Sequence, residues 1–142
     1  MISQLVIAWF LLSSNVVIHA VGVTLALRRV RGHATRSLRV SLWPWLFIRL
    51  AGWIVLLHIL EITVWAVVYE FAGALGDIQS ALYFSAVTYT TTGYGDLVLP
   101  PDWRLVGAVE ALTGILMCGW STGFFFAVVS RMSSGRDNDA NA

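Results

Sequence analysis

The six residues from Thr91 to Asp96, Thr-Thr-Gly-Tyr-Gly-Asp, carry the clearest chemical signal in the chain. A potassium ion that passes a pore selectively must exchange its water shell for other oxygens, and backbone carbonyls directed at one axis can supply them. Successive carbonyls face the same way only at unusual backbone angles, which glycine reaches without a Cβ penalty. Gly93 and Gly95 provide that freedom, and Tyr94 between them can pack outward and brace the strand. Thr91 offers both a carbonyl and a hydroxyl oxygen at the inner end.

The surrounding composition favours a lipid bilayer over water. Of the 142 residues, 58% are hydrophobic and only 12% are charged, whereas a soluble domain carries about 25% charged residues. A helix needs about 20 apolar residues to span a bilayer, and three segments are long enough: roughly Leu5–Leu27, Trp45–Phe71 and Leu105–Ser130. We predict that the first is a retained helix and not a cleaved signal peptide, because Met1–Gln4 lacks positive charge.

The stretch between the second and third segments, Asp77–Pro101, is too short to cross the membrane and return as two full helices. We predict a re-entrant element that is buried in protein or lines a water-filled cavity. Its helix should begin at Asp77, a good N-cap with Ser80 at N3, and should end near Thr90. The partial negative charge at the C-terminus of this helix would favour a cation nearby.

Arginine residues set the expected orientation. Five follow the first segment and two follow the third: Arg28, Arg29, Arg31, Arg36, Arg39, Arg131 and Arg136. The positive-inside rule places both regions in the cytoplasm and the N-terminus outside. The irregular spacing of the first five favours a cytoplasmic loop over a voltage sensor. Within that loop, Arg28, Arg29 and Arg31 are candidates for contact with anionic lipid.

Ionisable residues inside the apolar segments are expected to face protein or water. His58 and Glu61 lie three residues apart on one helical face, and we predict a structural clamp there, with a pH-sensing role as the alternative. Glu61 can pair with His58 or with a pore-helix hydroxyl of a neighbour. His19 is expected to make an interhelical hydrogen bond, with a ligand role as the alternative. Glu110 is expected to buttress the 91–96 strand from behind, as opposed to contacting ions directly.

The string at 91–96, with the preceding Ala81-Leu82-Tyr83-Phe84-Ser85-Ala86-Val87-Thr88-Tyr89-Thr90, resembles the pore helix and selectivity filter of tetrameric potassium channels. The similarity continues through Trp103-Arg104-Leu105 and covers about Trp45–Met132, which corresponds to an outer helix, a pore loop and an inner helix. It does not cover the first helix. The resemblance implies a homotetramer in which each chain supplies one filter strand. It also implies potassium sites at the Thr91 hydroxyl and along the filter: Thr91, Thr92, Gly93 and Tyr94, with Gly95 completing the filter.

Two positions in the filter region depart from the family pattern. Thr92 stands where the family usually has Val or Ile, and its hydroxyl needs a partner. Val87 stands where some bacterial members carry a buried Glu that pairs with the aspartate of the filter. We therefore expect Asp96 to find a different partner, near Tyr83 or Phe84, and we include Val87, Asp96 and Glu110 among the filter-support positions.

The last apolar segment contains four glycines, and the resemblance suggests roles for two of them. Gly114 aligns with the hinge position of the family, below the filter and facing the cavity, so we expect it to let the inner helices splay. Gly119 aligns with a second glycine that packs against a neighbouring helix, and Gly123 is expected to serve packing too. Ser121 and Thr122 are candidates for lining the cavity.

Together these observations predict an all-α membrane protein with three transmembrane helices and a re-entrant pore helix and filter, assembled as a homotetrameric channel. The expected parts are an extra N-terminal helix (1–27), an arginine-rich cytoplasmic loop (28–43), the pore module (44–132) and a short polar cytoplasmic tail (133–142). The expected function is passive potassium permeation across the plasma (inner) membrane. No enzymatic activity, nucleic acid or cofactor other than permeant K+ is expected. The alternatives are a cation channel of relaxed selectivity and a non-conducting accessory subunit built on the pore fold.

Overall fold

The computed structural model describes residues 2–34 and 43–140, which form four α-helices. Helix α1 spans Ile2–Ala34, α2 spans Trp43–Phe71, α3 spans Ile78–Tyr89 and α4 spans Arg104–Ala140, with a single 3-10 turn over Pro101–Trp103 before α4. These described ranges contain no β-strand, and residues 91–96 form a single non-helical segment, the 91–96 strand, that joins no sheet. Three of the helices are long and apolar enough to cross a membrane, over Ile2–Arg29, Pro44–Phe71 and Pro101–Ser130. The all-α class and the three spans are therefore confirmed.

Two helices run further than the sequence suggested. Helix α1 continues to Ala34, so the first part of the segment predicted as a loop over 28–43 is helical. Helix α4 continues to Ala140, so the predicted polar tail over 133–142 is helical almost to its end. The end of an apolar segment marks where a span leaves the bilayer, but it does not have to end the helix. Arginine and alanine, which follow the spans, are also good helix formers in water. Residues 35–42 lie outside the described part of the chain.

Helices α1 and α3 fill the space between α2 and α4, which touch each other only weakly. Two apolar clusters hold the four helices together. One contains Trp65, Tyr69, Tyr89 and Met117 together with Ala8 and Leu11 of α1. The other lies further along α1 and α4, around Val23, Leu50, Ile54, Leu57, Phe124 and Val128. Along each of α1, α2 and α4, the chain between the two clusters carries buried polar residues: His19, Glu61 and Ser121.

Helix α1 approaches α2 closely at Gly22. A Cβ atom at that position would overlap the side chain of Leu57, so the absence of a side chain sets the helix spacing here. The indole nitrogen of Trp53 donates to the carbonyl of Gly22 at 3.0 Å, and the Arg29 guanidinium lies over the Trp53 ring, 5.1 Å from its centroid. These contacts hold α1 against α2.

Candidate functional site

Helix α3 is fixed at its start by Asp77. The side chain accepts hydrogen bonds from the Ser80 backbone N–H at 2.9 Å and from the Ser80 hydroxyl at 2.7 Å. Those bonds lower the pKa of the Asp77 carboxyl, and a carboxylate at a helix N-terminus is favoured by the helix dipole. The helix ends with Thr90 as its C-cap. Both ends of the predicted pore helix are therefore confirmed.

The chain leaves α3 with a left-handed backbone at every second residue. The φ angles are 60° at Thr91, 55° at Gly93 and 76° at Gly95. The two glycines accept these angles freely, whereas a non-glycine residue held there costs roughly 1–3 kcal/mol and needs support from its surroundings. That support comes from α3, because the Thr91 N–H donates to the Thr88 carbonyl at 2.9 Å.

Val87 supports the same strand through its backbone. Its carbonyl accepts from the N–H of Thr92 at 3.0 Å and from the N–H of Gly93 at 3.2 Å. A carbonyl is present whatever the side chain, so this contact does not depend on whether residue 87 is valine or the glutamate of some bacterial channels. The Thr92 hydroxyl also has a partner, the Thr90 hydroxyl at 3.0 Å.

Asp96 forms a hydrogen bond with Tyr83, one of the two residues near which its partner was expected. The Tyr83 hydroxyl donates to Asp96 Oδ2 at 2.6 Å, and the N–H of Leu97 donates to Asp96 Oδ1 at 3.1 Å. The hydrogen bond from Tyr83 lowers the pKa of Asp96, and the same bond raises the pKa of Tyr83. This pair ties the Asp96 end of the 91–96 strand to α3.

One face of the strand is open in the single chain. Residues 90–96 are exposed, and the side chain of Tyr94 is 71% exposed. The outward packing expected of Tyr94 is therefore not made within one chain. A single strand also encloses no space for an ion.

Glu110 lies behind α3 and joins three helices. It is fully buried on α4 and accepts a hydrogen bond from the Tyr69 hydroxyl of α2 at 2.8 Å. The Ser85 hydroxyl of α3 also bonds to it and lies 2.9 Å from the carbonyl of Ile62. The structure thus places Glu110 against α3. Its predicted role as a filter support remains a prediction.

A second buried network joins all four helices through five side chains. His19 Nδ1 lies 2.9 Å from Glu61 Oε1, and the Tyr89 hydroxyl donates to Glu61 Oε2. His58 Nδ1 lies 3.1 Å from the Tyr89 hydroxyl and 3.4 Å from Glu61 Oε2. The hydroxyl of Ser121 closes the ring, 3.1 Å from His58 Nε2 and 3.2 Å from His19 Nε2. We refer to these five residues as the polar ring.

The sequence anticipated part of the polar ring. The interhelical bond of His19 is confirmed, and Glu61 does bond to a pore-helix hydroxyl, that of Tyr89 in the same chain. The expectation for Ser121 is wrong within the chain, because its hydroxyl is buried between two imidazoles and does not face a cavity. Thr122 is exposed. The sequence did not indicate that Tyr89 joins this network, because an aromatic residue in an apolar segment is usually a core residue. The signal that could have found it is that a buried tyrosine hydroxyl usually needs a hydrogen-bond partner.

The glycines of α4 differ in their surroundings. A Cβ at Gly114 would overlap the carbonyl oxygen of Tyr89, whereas a Cβ at Gly119 or Gly123 would meet open space in the described part of a single chain. Gly114 is buried against the end of α3 and does not face an open cavity, so the expected orientation of Gly114 is corrected. Its hinge role stays a prediction, as does the packing of Gly119 and Gly123 against another chain.

Comparison with known proteins finds one family. A family model described as "Ion channel" matches residues 46–131, more than half of the chain. The match begins in α2 and ends in α4, so it includes α3 and the 91–96 strand and leaves α1 outside. No curated protein and no solved structure matches the chain.

Proposed function

This chain belongs to the ion channel family, and we propose that it conducts potassium selectively and passively through a pore to which four identical chains each contribute one filter strand. The observation that carries the proposal is the alternating left-handed backbone at Thr91, Gly93 and Gly95. In the proposed filter, this alternation would turn successive carbonyls toward one side of the strand. It occurs within the string that resembles the potassium filter. The ions would bind the carbonyls of Thr91, Thr92, Gly93 and Tyr94, and the Thr91 hydroxyl.

The exposed strand supports the proposal of a homotetramer. A filter needs a ring of carbonyls around the ion, and one chain offers a single strand whose Tyr94 side chain is 71% exposed. Identical chains most often close into point-group symmetry, so four copies around one axis would complete the ring. The same arrangement would cover Tyr94 with a neighbouring chain and supply the bracing contact that one chain lacks.

Bi-ionic recordings test potassium selectivity. In vesicles containing the purified protein, we expect the reversal potential to follow the potassium gradient and to respond little to sodium. The physical reason is that carbonyl oxygens held by α3 match the ion that sheds its water more easily. A reversal potential equally sensitive to both ions would favour a cation channel of relaxed selectivity and would implicate Thr92. Absence of any flux would favour a non-conducting accessory subunit.

We further propose that the channel lies in the plasma membrane with its N-terminus outside and the start of the arginine-rich segment in the cytoplasm. Arginine bias determines topology when it lies close to a span, and five arginines follow the first span. Arg28, Arg29 and Arg31 would then face the anionic cytoplasmic leaflet. The cation–π contact with Trp53 would hold Arg29 close to this leaflet.

Cysteine labelling tests the orientation. In a Cys118→Ser background, Ser3→Cys is expected to react with a membrane-impermeant maleimide in intact cells, because the N-terminus would be extracellular. Ser37→Cys, in the arginine-rich segment, is the matched control and should react only after lysis. The reverse labelling pattern would invert the topology.

A further inference from the structure

We propose that His19, His58 and Glu61 form a binding site for a divalent transition-metal ion of the Zn2+ type, buried between α1, α2 and α4. Each of the three residues offers one ligand atom, and these atoms all lie within 4.8 Å of one another. The three residues lie on α1 and α2, outside the 91–96 strand, and the inference does not depend on which ion the pore conducts.

The first argument is the orientation of the two imidazoles. Nδ1 of His19 lies 2.9 Å from one carboxylate oxygen of Glu61, and Nδ1 of His58 lies 3.4 Å from the other. Ligand atoms around a tetrahedral Zn2+ are about 3.3–3.6 Å apart, given metal–ligand bonds of about 2.0–2.2 Å. Because one ligand atom from each residue lies within 4.8 Å of the others, movements of less than about 1 Å by each side chain would bring the three atoms to these separations.

The second argument is the position of Ser121. An imidazole that binds a metal through one nitrogen nearly always donates its other N–H to a nearby acceptor, which fixes the ring. Here Nε2 of His58 and Nε2 of His19 lie 3.1 Å and 3.2 Å from the same Ser121 hydroxyl oxygen. One oxygen has two lone pairs and can accept from both rings. Ser121 thus holds both imidazoles with their Nδ1 atoms directed at Glu61.

The third argument is the balance of lone pairs. If both imidazoles donate from Nε2 to Ser121, then both Nδ1 lone pairs and the carboxylate face the same buried space. The Tyr89 hydroxyl donates to one of these atoms, and a cation among the remaining lone pairs would relieve an otherwise unfavourable concentration of electron-rich atoms away from water. Two nitrogens and a carboxylate suit Zn2+ and its neighbours in the first transition row, whereas K+, Mg2+ and Ca2+ prefer oxygen ligands.

Tyr89 offers a candidate fourth ligand, and His58 offers an entry route. The Tyr89 hydroxyl touches Glu61 and lies 3.1 Å from His58 Nδ1, so it borders the same space. The side chain of His58 is 17% exposed, while His19 and Glu61 are fully buried. A bound ion would clamp α1 to α2, and through Tyr89 it would restrain the last residue of the pore helix.

A Co2+ titration of the full chain in detergent tests the proposal. After removal of metals with a chelator, Co2+ is expected to produce visible d–d absorption bands of low-symmetry coordination, saturating at one ion per chain, and Zn2+ should abolish the bands. Zn2+ should also raise the thermal unfolding midpoint, because an ion that binds only the folded state stabilises it. His19→Gln and Glu61→Gln are expected to lose both effects.

Two matched variants control for binding elsewhere. His33→Gln changes the third histidine of the chain, and Cys118→Ser removes its only thiol; both should titrate as the wild type does. Ser121→Ala keeps every ligand and should weaken Co2+ binding by about 10–100-fold. Since His19→Gln could fail to fold, Ser121→Ala alone is decisive, and unchanged affinity would overturn the proposal.

Three other results would also overturn it. The first is a wild-type protein that shows no d–d bands with Co2+ and whose thermal unfolding midpoint does not change with Zn2+. That result would mean that hydrogen bonds hold the polar ring together without a metal ion. The second is loss of the bands in His33→Gln or Cys118→Ser. The third is a folded Glu61→Gln protein that binds Co2+ as the wild type does.

Discussion

Replacement of Gly114 by alanine is expected to abolish ion flux and to destabilise each chain by about 1–3 kcal/mol, the usual cost of overpacking. The added Cβ would overlap the carbonyl oxygen of Tyr89 and approach its carbonyl carbon to 2.8 Å. Backbone atoms at the end of a helix do not rotate away as a side-chain tip does. The hydroxyl of Tyr89 is also held by Glu61, so α3 would have to move as a unit. Thermal unfolding in detergent and flux from vesicles measure the two effects.

Gly52→Ala is the matched control for this prediction. Gly52 lies within α2, and a Cβ there meets nothing within 4 Å among the described residues, so the change should keep flux and should not reduce stability. The phenotype of Gly114→Ala also distinguishes a packing role of this glycine from a hinge role. Normal stability and unitary conductance with reduced open probability would contradict the packing argument and favour the hinge expected from the family resemblance.

Features of the fold that depend on neighbours in sequence could be predicted. The start of α3 is an example, because an aspartate cap with a serine three residues later is a local interaction that forms wherever the helix lies. The spans followed from hydrophobicity alone. The ends of α1 and α4 were placed too early because hydrophobicity reports the bilayer boundary and not the last hydrogen-bonded turn, which for α1 comes at Ala34.

Features that depend on how helices are rotated against one another could not be predicted. The spacing of His58 and Glu61 indicated a shared face, but not that His19 and Ser121 would meet them from two other helices. Gly114 illustrates the same limit. Its place in α4 was clear from sequence, whereas its contact with the Tyr89 carbonyl depends on the rotation of α4 against α3.

The left-handed angle of Thr91 shows a third limit. Two glycines suggested where the strand would adopt unusual angles, but the first such residue is a threonine with φ of 60°. No propensity favours that conformation for a side chain with a branched Cβ. It follows from bonds made by the neighbouring turn, in which the Thr91 N–H reaches the Thr88 carbonyl.

Gly93→Ala is expected to eliminate discrimination between potassium and sodium while leaving the chain folded. Gly93 has φ of 55°, and an alanine forced into that region costs roughly 1–2 kcal/mol. In the proposed tetramer the cost would fall on all four strands at one level of the filter. The strand could relieve it by rotating the peptide, which would turn a carbonyl away from the axis. Bi-ionic reversal potentials measure the loss, and gel filtration in detergent reports on assembly.

Gly73→Ala separates filter chemistry from backbone strain. Gly73 has a φ of 67°, close to that of Gly93, and a Cβ meets nothing within 4 Å at either position in the single chain. Gly73 lies in the turn after α2, outside the 91–96 strand, so alanine there should cost similar stability yet preserve selectivity. Equal loss of selectivity in both variants would mean that strain anywhere in the pore loop disables the channel. Wild-type selectivity in Gly93→Ala would show that the 91–96 strand is not the filter.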